Sequence, residues 1–363
     1  MTCHLAAWTE TGEEGAPLDD GEHRLFLQEK PGIAPAVKAA RLRAYLERHD
    51  IEWVSLQFVN FGFSKKGFIP GLAAALADAL TGRRVHIFLH ELWLGAHRGA
   101  KLRDRFFGAL QKRRLLHLLA VLQPEQVWTS IAYYRTLLER EGVTAREVPI
   151  FGNVPFTCER ADEMIWQRLT PELARKKREQ YFFVGLFGAI DRSWPFREVA
   201  PRLLQFAGAR QTVFVLFGRN GPSHLFREYI DSIPEAEYLS LGALDPEVID
   251  QVMNSMDVAL ATTPAEGTFK STSAVSFLER GVPTVAVHHG LETPPTSASP
   301  VHPSLILLDE WLEQNLAAAT GTDRNSRRLL PMVAQSYLEL FTASAPSRPA
   351  RAREKVGSAR SKT

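Results

Sequence analysis

The feature that most constrains this chain is a regular alternation of short apolar runs with segments of helical period. In the first half, strand-like runs cover 51–58, 85–89, 126–129 and 145–151, and helix-like segments between them cover 72–80, 101–122 and 131–141. Strands separated by helices of this length are typical of right-handed βαβ units, whose strands pair in parallel. The first half therefore predicts a parallel sheet covered by helices.

The alternation stops at a polar, proline-punctuated stretch after residue 152 and starts again near residue 181. The second set of strand-like runs is YFFVGLFGAI, TVFVLFG, YLSLG, DVALATT and TVAVHH, with helical segments at 196–206, 224–233, 246–256 and 271–280 between them. We therefore predict an α/β protein with two doubly wound, Rossmann-like domains. Because ligands bind at the carboxyl ends of parallel strands, the two domains should face each other across a cleft.

The predicted boundaries follow this pattern. They are a first domain at 1–152, a linker at 153–165, a second domain at 166–322, a helix at 323–343 that can pack back across the hinge, and a disordered basic tail at 344–363.

Composition excludes several other classes of protein. Apolar residues make up 45% of the chain and charged residues 23%, as in globular proteins with a sizeable core. No apolar run has the roughly 18 to 20 residues of a membrane-spanning helix, and the N-terminus shows no secretory signal. The two cysteines, Cys3 and Cys158, have neither disulfide nor metal spacing. We expect a cytoplasmic protein.

Charge is unevenly distributed. The net charge of +2 hides a tail that carries six basic residues against Glu354, so the rest of the chain is mildly acidic. An acidic body disfavours nucleic-acid binding. The tail is either a solubilising appendage or a loose attachment to an anionic membrane surface.

Polar and basic side chains follow the strands of the second half. Arg192 follows YFFVGLFGAI, Arg219 follows TVFVLFG, and Ala265-Glu266-Gly267 follows DVALATT. The cluster 270–273 (KSTS) then opens a helix, where unpaired N–H groups and the helix dipole favour an anion. Each element also has a plain structural interpretation, because a serine N-cap often only caps its helix and Arg219 can be a solvated loop residue. Their convergence favours a ligand site.

The order of these segments resembles the nucleotide-sugar domain of the GT-B glycosyltransferases, in the style of family 4. The resembling segments are GLFGAIDRSW, LFGRNG, LGAL and MNSMDVALATTPAEGTFKSTSAVSFLERGVP, and in the first half WVSLQF, HIFLHELW, QVWTS and VPIFGNVP. The resemblance spans roughly residues 51–290. It implies a metal-independent, retaining transfer of a sugar from a nucleotide-sugar donor to a glycan, lipid or small-molecule acceptor. The nucleotide sugar is then a substrate, no further cofactor is implied, and the sequence has no Asp-x-Asp metal motif.

On the donor side, the resemblance implies a role for each residue of the loop and helix start. Glu266 and Gly267 lie near the donor sugar, and Glu266 is a catalytic candidate. Lys270, Ser271, Thr272 and Ser273 hold the diphosphate, and Arg192 and Arg219 neutralise it as it leaves. The position of the ribose-binding carboxylate is taken by Ala274 or Ser276, depending on the alignment, and Ser276 is the candidate that reaches the ribose.

On the acceptor side, the resemblance implies that His90, which follows VHIFL, faces the transferred sugar and is the second catalytic candidate. Glu91 and Gln57 are acceptor-side candidates. A histidine that follows a strand makes a structural hydrogen bond about as often as it has a functional role.

The opening of the first domain departs from the pattern of the family. The run CHLAAW resembles the second strand of the family and is followed by GEEGAPLDDGEH, so the usual opening strand, glycine loop and helix are not seen. We expect either a misassigned start or a shortened paralogue with weak or no activity. Two other functions remain open: a catalytically silent glycosyltransferase-like binding protein, and a GT-B sugar-nucleotide epimerase, which needs a second acidic residue besides Glu266.

Overall fold

The structure is a computed structural model that describes residues 3–8, 24–28, 32–63, 67, 70–96, 99–157, 159–160, 177–190, 194–219, 224–231, 233–287, 302–309, 312–320, 324 and 326–343. Arg192, Cys158, most of the predicted linker and the predicted basic tail at 344–363 lie outside the described residues.

The first domain contains a four-stranded parallel sheet. Its strands are β3 (Trp53–Phe58), β4 (Arg84–Leu89), β5 (Gln126–Thr129) and β6 (Arg146–Glu147), in that spatial order. A separate parallel pair is formed by β1 (Cys3–Ala7) and β2 (Arg24–Gln28). The helices are α1 (Pro35–Arg48), α2 (Asn60–Phe63), α3 (Leu72–Ala79), α4 (Leu102–Leu122) and α5 (Ala132–Arg140).

The second domain contains a six-stranded parallel sheet with the spatial order β12-β11-β10-β7-β8-β9. Its strands are β7 (Tyr181–Phe187), β8 (Gln211–Phe217), β9 (Ala236–Gly242), β10 (Val258–Leu260), β11 (Thr284–Ala286) and β12 (Leu305–Leu307). Its helices are α6 (Phe196–Ala207), α7 (His224–Asp231), α8 (Pro246–Ser255), α9 (Thr272–Glu279) and α10 (Leu312–Thr320).

The central strand β7 shows why apolar runs without polar alternation form this sheet. Phe182 and Val184 pack into one core cluster, whereas Tyr181 and Phe183 pack into another on the opposite face. Side chains alternate across a strand, and helices cover both faces of a parallel sheet, so every position must be apolar. The predicted fold class, two parallel-sheet α/β domains, is confirmed.

Several elements differ from the pattern read in the sequence. Only Arg146–Glu147 of the run 145–151 pairs as a strand. The strands β2 and β12 were not predicted, because five residues in a polar stretch and three residues alone give too little periodicity. Within the described residues, the pair β1-β2 is not hydrogen-bonded to the four-stranded sheet.

The last helix, α11 (Leu330–Thr342), returns to the first domain. Val333 and Leu340 pack with Phe88 and Trp128 of the four-stranded sheet. The backbone carbonyl of Ala343, directly after the helix, accepts a hydrogen bond from an arginine at the start of β4. The C-terminal part of the chain therefore covers one face of the first domain.

A buried polar cluster at the end of α9 holds the segments where the chain passes between the domains. The Glu279 carboxylate accepts hydrogen bonds from the Gly152 amide (3.1 Å) and the Leu329 amide (2.7 Å). Beside it, the Arg280 guanidinium pairs with Asp250 (2.5 Å), and both side chains are fully buried. Gly152 precedes the second domain and Leu329 precedes α11. The end of α9 therefore holds both segments in which the chain crosses between the domains.

The linker is tied to the same ion pair. Arg280 also donates to the carbonyl of Pro155, and the other oxygen of the Asp250 carboxylate accepts from the amide (2.9 Å) and hydroxyl of Thr157. Each buried charge therefore has a partner of opposite charge and further hydrogen bonds. This is the condition under which a buried ion pair is tolerated.

We predict that Arg280→Met lowers the free energy of unfolding by about 3–5 kcal/mol, because it leaves the Asp250 carboxylate buried without its cation. The measurement is urea-induced unfolding followed by circular dichroism. The matched control is Arg227→Met, which breaks an exposed pair with Asp231 and should cost about 1 kcal/mol or less. Equal losses in the two variants would contradict the prediction.

Candidate functional site

A cavity of about 330 Å³ lies at the carboxyl ends of β7 and β10. Residues after β7 (Ala189 and Ile190), the last residue of β10 with the four that follow it (260–264), and the first turns of α9 form its wall. The Trp194 indole donates to the carbonyl of Ala261 (2.8 Å) and so joins the loop after β7 to the end of β10. This is the edge of the sheet where parallel α/β domains bind ligands.

The N-terminus of α9 gives this cavity its polar side. Ser271 is the N-cap residue, and its hydroxyl accepts a hydrogen bond from the Ala274 amide (3.4 Å). Both Ser271 and Ser273 line the cavity. The free N–H groups of a first helical turn and the positive end of the helix dipole favour an anionic group here.

Gly188 brings the backbone of β7 close to α9. It has φ of +84°, and a Cβ atom placed there would lie 2.9 Å from the Ser273 hydroxyl. A larger residue would therefore suffer backbone strain and crowd the serine that lines the cavity. A backbone that passes so close to a helix start is typical of sites that hold phosphate.

Lys270 reaches from the second domain to the first. It ends a 3₁₀ turn, Ala265–Lys270, and its Nζ atom lies 3.1 Å from the Tyr134 hydroxyl and 3.9 Å from the Glu91 carboxylate. The predicted donor-side lysine and the predicted acceptor-side glutamate therefore meet across the cleft. Because Glu91 follows His90 directly, the same contact places the 3₁₀ turn next to the histidine loop.

His90 is held in a defined tautomer by Gln57. The His90 Nε2 atom lies 2.8 Å from Gln57 Oε1, while the amide nitrogen of Gln57 donates to Ser55 (2.8 Å) and to Tyr337 (3.2 Å). The structure places the amide oxygen of Gln57 against the ring, and in this orientation Nε2 carries the proton and donates to that oxygen. The lone pair of the ring is then on Nδ1.

Burial keeps the His90 ring uncharged. It lowers the pKa of His90 below the usual value of 6.5, because desolvation disfavours the imidazolium. The ring also stacks on Phe88, with the ring centroids 4.4 Å apart. At neutral pH His90 therefore presents a neutral imidazole with one donor and one acceptor.

A second histidine lies behind this group. His86 is fully buried, its Nδ1 atom lies 2.9 Å from the Ser55 hydroxyl, and its Nε2 atom has no hydrogen-bond partner among the described residues. Burial lowers its pKa to about 3, so it stays neutral. Burial also raises the pKa of Tyr337, whose ring packs against His86. These groups support Gln57 from the protein interior.

The structure brings some of the predicted residues together and leaves others apart. Ser271 and Ser273 share the cavity, Lys270 meets Glu91, and His90 meets Gln57. Gly267 is buried in the 3₁₀ turn, Glu266 is half-buried there, and Thr272 and Arg219 are exposed. Arg192 lies outside the described residues.

Ser276 is not brought to the cavity. It is fully buried, and its hydroxyl lies beneath Gly152, where a Cβ atom would approach it to 2.7 Å. Ser276 therefore faces the segment at Gly152, where the chain passes from the first domain to the second.

Sequence reasoning missed three residues of the site. Gly188 could have been found, because a glycine at the end of an apolar strand often marks a close approach of the backbone. Tyr134 and Tyr337 gave no local signal, because each reaches the site from a distant helix.

None of the helices in the described part of the chain is both long enough and apolar enough to cross a bilayer. Among the described residues, no cluster of three or more His, Cys, Asp or Glu side chains is arranged to hold a metal ion.

Comparison with solved structures identifies the fold. The Anabaena protein HepE in complex with UDP matches with a TM-score of 0.53 and 13% identity, over 88% of this chain and 86% of that chain. A glycosyltransferase from Rickettsia africae matches with a TM-score of 0.51 and 9% identity, over 89% and 86%. A trehalose-6-phosphate structure from Escherichia coli bound with UDP-2-fluoro glucose gives 0.50 and 14%, over 93% and 91%.

These likenesses establish the GT-B fold, two parallel-sheet α/β domains, and at such identities they establish the fold alone. No protein-family model matches the sequence, and a search of curated proteins finds no similar sequence.

We predict that Gln57→Glu raises the pKa of His90. The new carboxylate would face the Nε2 hydrogen, and an opposite charge at this distance favours the imidazolium. The measurement is an NMR titration of the histidine ring protons, with His90→Gln used to assign the signal. Gln335→Glu on α11 is the matched control, because it adds the same charge at an exposed position. If both variants leave the His90 titration unchanged, Gln57 does not contact the ring in solution.

Proposed function

We propose that this protein is a glycosyltransferase that moves a sugar from a nucleotide-sugar donor to a glycan, lipid-linked or small-molecule acceptor, without a metal ion and with retention of anomeric configuration. The observation that carries the proposal is the cavity in which Ser271, Ser273 and the N-terminus of α9 meet the backbone at Gly188. The GT-B fold and the resemblance of the loop segments to family 4 support the same assignment.

In this proposal the diphosphate of the donor lies at the start of α9. The hydroxyls of Ser271 and Ser273 and the first-turn N–H groups donate to its oxygens, and the half-buried Lys270 provides a positive charge beside the cavity. Arg219 approaches from the end of β8, and Arg192 has the corresponding role after β7.

The chemical step breaks the bond between the anomeric carbon and the diphosphate oxygen and forms a bond from that carbon to the acceptor hydroxyl on the same face, and the proton of that hydroxyl passes to the departing diphosphate. As that bond breaks, negative charge accumulates on the phosphate oxygens, and fixed cations and N–H groups lower the barrier because they are already oriented. The neutral ring of His90 and the carboxylate of Glu266 contact the hydroxyls of the sugar. Glu91 and Gln57 form the acceptor side of the cleft.

We predict that UDP, GDP or ADP binds the protein, and that Gly188→Ala raises the dissociation constant by about tenfold or more, because the added methyl crowds Ser273. The measurement is isothermal titration calorimetry with each nucleotide. Gly208→Ala is the matched control. Gly208 also has a positive φ, +64°, but a Cβ atom there meets nothing within 4 Å.

If both glycine variants bind the nucleotide as the unchanged protein does, the cavity is not the nucleotide site. If no nucleotide binds the unchanged protein, the donor-binding part of the proposal is wrong.

We predict that Lys270→Met lowers kcat/KM for sugar transfer by about a hundredfold, since it removes a fixed charge from the side of the leaving diphosphate. The assay detects nucleoside diphosphate released from a panel of nucleotide sugars. Lys112→Met is the matched control, because Lys112 forms a similar pair with Glu141 on the first domain. Nucleotide binding without release from any donor would favour the catalytically silent binding protein instead.

A further inference from the structure

The outer face of α4 exposes a line of large apolar side chains. Leu102 is 82% exposed, Phe106 is 65% exposed and Leu110 is 40% exposed. They are spaced four residues apart, so they lie along one side of the helix over about 12 Å. We call this line, with the basic residues beside it, the α4 ridge.

The residues of the ridge lie on the face of α4 that points away from the hydrophobic core. The opposite side of α4 is buried through Leu115, Leu118 and Leu119, which pack into the core of the first domain. Gly108 and Gln111 fix the helix there as well, because the loop after β4 passes over Gly108 and the Leu94 amide donates to Gln111 (2.9 Å). The orientation of α4 is therefore set from inside, and the ridge faces outward.

Basic side chains border the apolar line. The exposed basic residues between 101 and 114 are Lys101, Arg103, Arg105, Arg113 and Arg114. Asp104 is the single acidic residue in that stretch. Exposed apolar side chains of this size can enter the headgroup region of a bilayer, and arginines beside them can contact the phosphates of anionic lipids.

The ridge begins close to the cleft between the domains. Because α4 follows β4, its first residue, Leu102, lies near the carboxyl end of the first-domain sheet, on the same side as His90. The ridge therefore begins at the rim of the predicted acceptor side.

We propose that the α4 ridge docks the protein on an anionic lipid surface, with Leu102 and Phe106 entering the headgroup region and the arginines contacting lipid phosphates, so that the first domain receives a lipid-linked acceptor from that surface. The acceptor class rests on the proposed sugar transfer, whereas the docking stands without it. A second copy of the chain fits the ridge less well, because two faces of this charge repel each other.

The test is sedimentation of the full-length protein with vesicles of phosphatidylcholine alone and of phosphatidylcholine mixed with phosphatidylglycerol. We expect binding to the mixed vesicles only. The double substitution Leu102→Ser with Phe106→Ser should lower the partition coefficient by about tenfold or more, and Arg105→Gln with Arg113→Gln should lower it similarly. The matched control, Val37→Ser with Leu338→Ser, removes two exposed apolar side chains elsewhere and should bind as the unchanged protein does.

A further full-length variant separates the ridge from the basic tail. It carries glutamine at Arg348, Arg351, Arg353, Lys355, Arg360 and Lys362. Retained binding in this variant supports the ridge. The proposal is wrong if only this variant loses binding, if neutral vesicles bind equally well, or if the serine double variant binds like the control. It is also wrong if light scattering shows a dimer that the serine substitutions abolish.

Hydrogen exchange gives a readout that does not depend on a variant folding correctly. Mixed vesicles should slow amide exchange in peptides that cover the first three turns of α4, and unchanged exchange there would overturn the proposal. Nucleotide titration of the serine double variant keeps the two proposals apart. If the variant binds nucleotide normally but no longer binds vesicles, the substitutions have affected docking alone. If it binds vesicles but no longer binds nucleotide, they have affected the donor site alone.

Discussion

The buried charges at the end of α9 are the constraint on which the arrangement of the two domains depends. Glu279 accepts amide hydrogen bonds from the segments at Gly152 and Leu329, and Arg280 holds Asp250 and the linker carbonyl of Pro155. Removing these groups from water is costly, so they persist only because each has partners on the passing segments. The other end of the same helix lines the cavity. A ligand that moved the start of α9 would therefore act on a helix already fastened to the hinge.

In the first domain, the orientation of His90 depends on a helix near the C-terminal end of the described chain. Gln57 can present its oxygen to His90 because its amide hydrogens are directed at Ser55 and Tyr337. Tyr337 belongs to α11, which packs on the first domain although the second domain lies between them in sequence. The orientation of the predicted catalytic histidine is thus set partly by a helix from the far end of the chain.

Sequence alone predicted what depends on local pattern. Apolar runs such as YFFVGLF have no polar alternation, and only a strand covered on both faces satisfies them, so the sheets could be predicted. The KSTS cluster has the composition of a helix start, and Ser271 is the N-cap of α9. What depends on distant pairing could not be predicted. No local pattern in the sequence pairs Arg280 with Asp250, and Ser276 was expected to reach the ribose. Both are buried, because Asp250 and Gly152 are brought against them by the fold.

The contact between Lys270 and Glu91 links the two sides of the cleft energetically. At 3.9 Å, with side chains 30% and 44% exposed, the pair contributes little, about 1 kcal/mol or less. A diphosphate at the start of α9 would offer the same ammonium a doubly charged partner with charge-assisted hydrogen bonds, which are stronger. Donor binding would therefore draw Lys270 away from Glu91 at small cost and leave that carboxylate at the acceptor side. In the proposed sugar transfer, donor binding would in this way prepare the opposite wall of the cleft before an acceptor arrives.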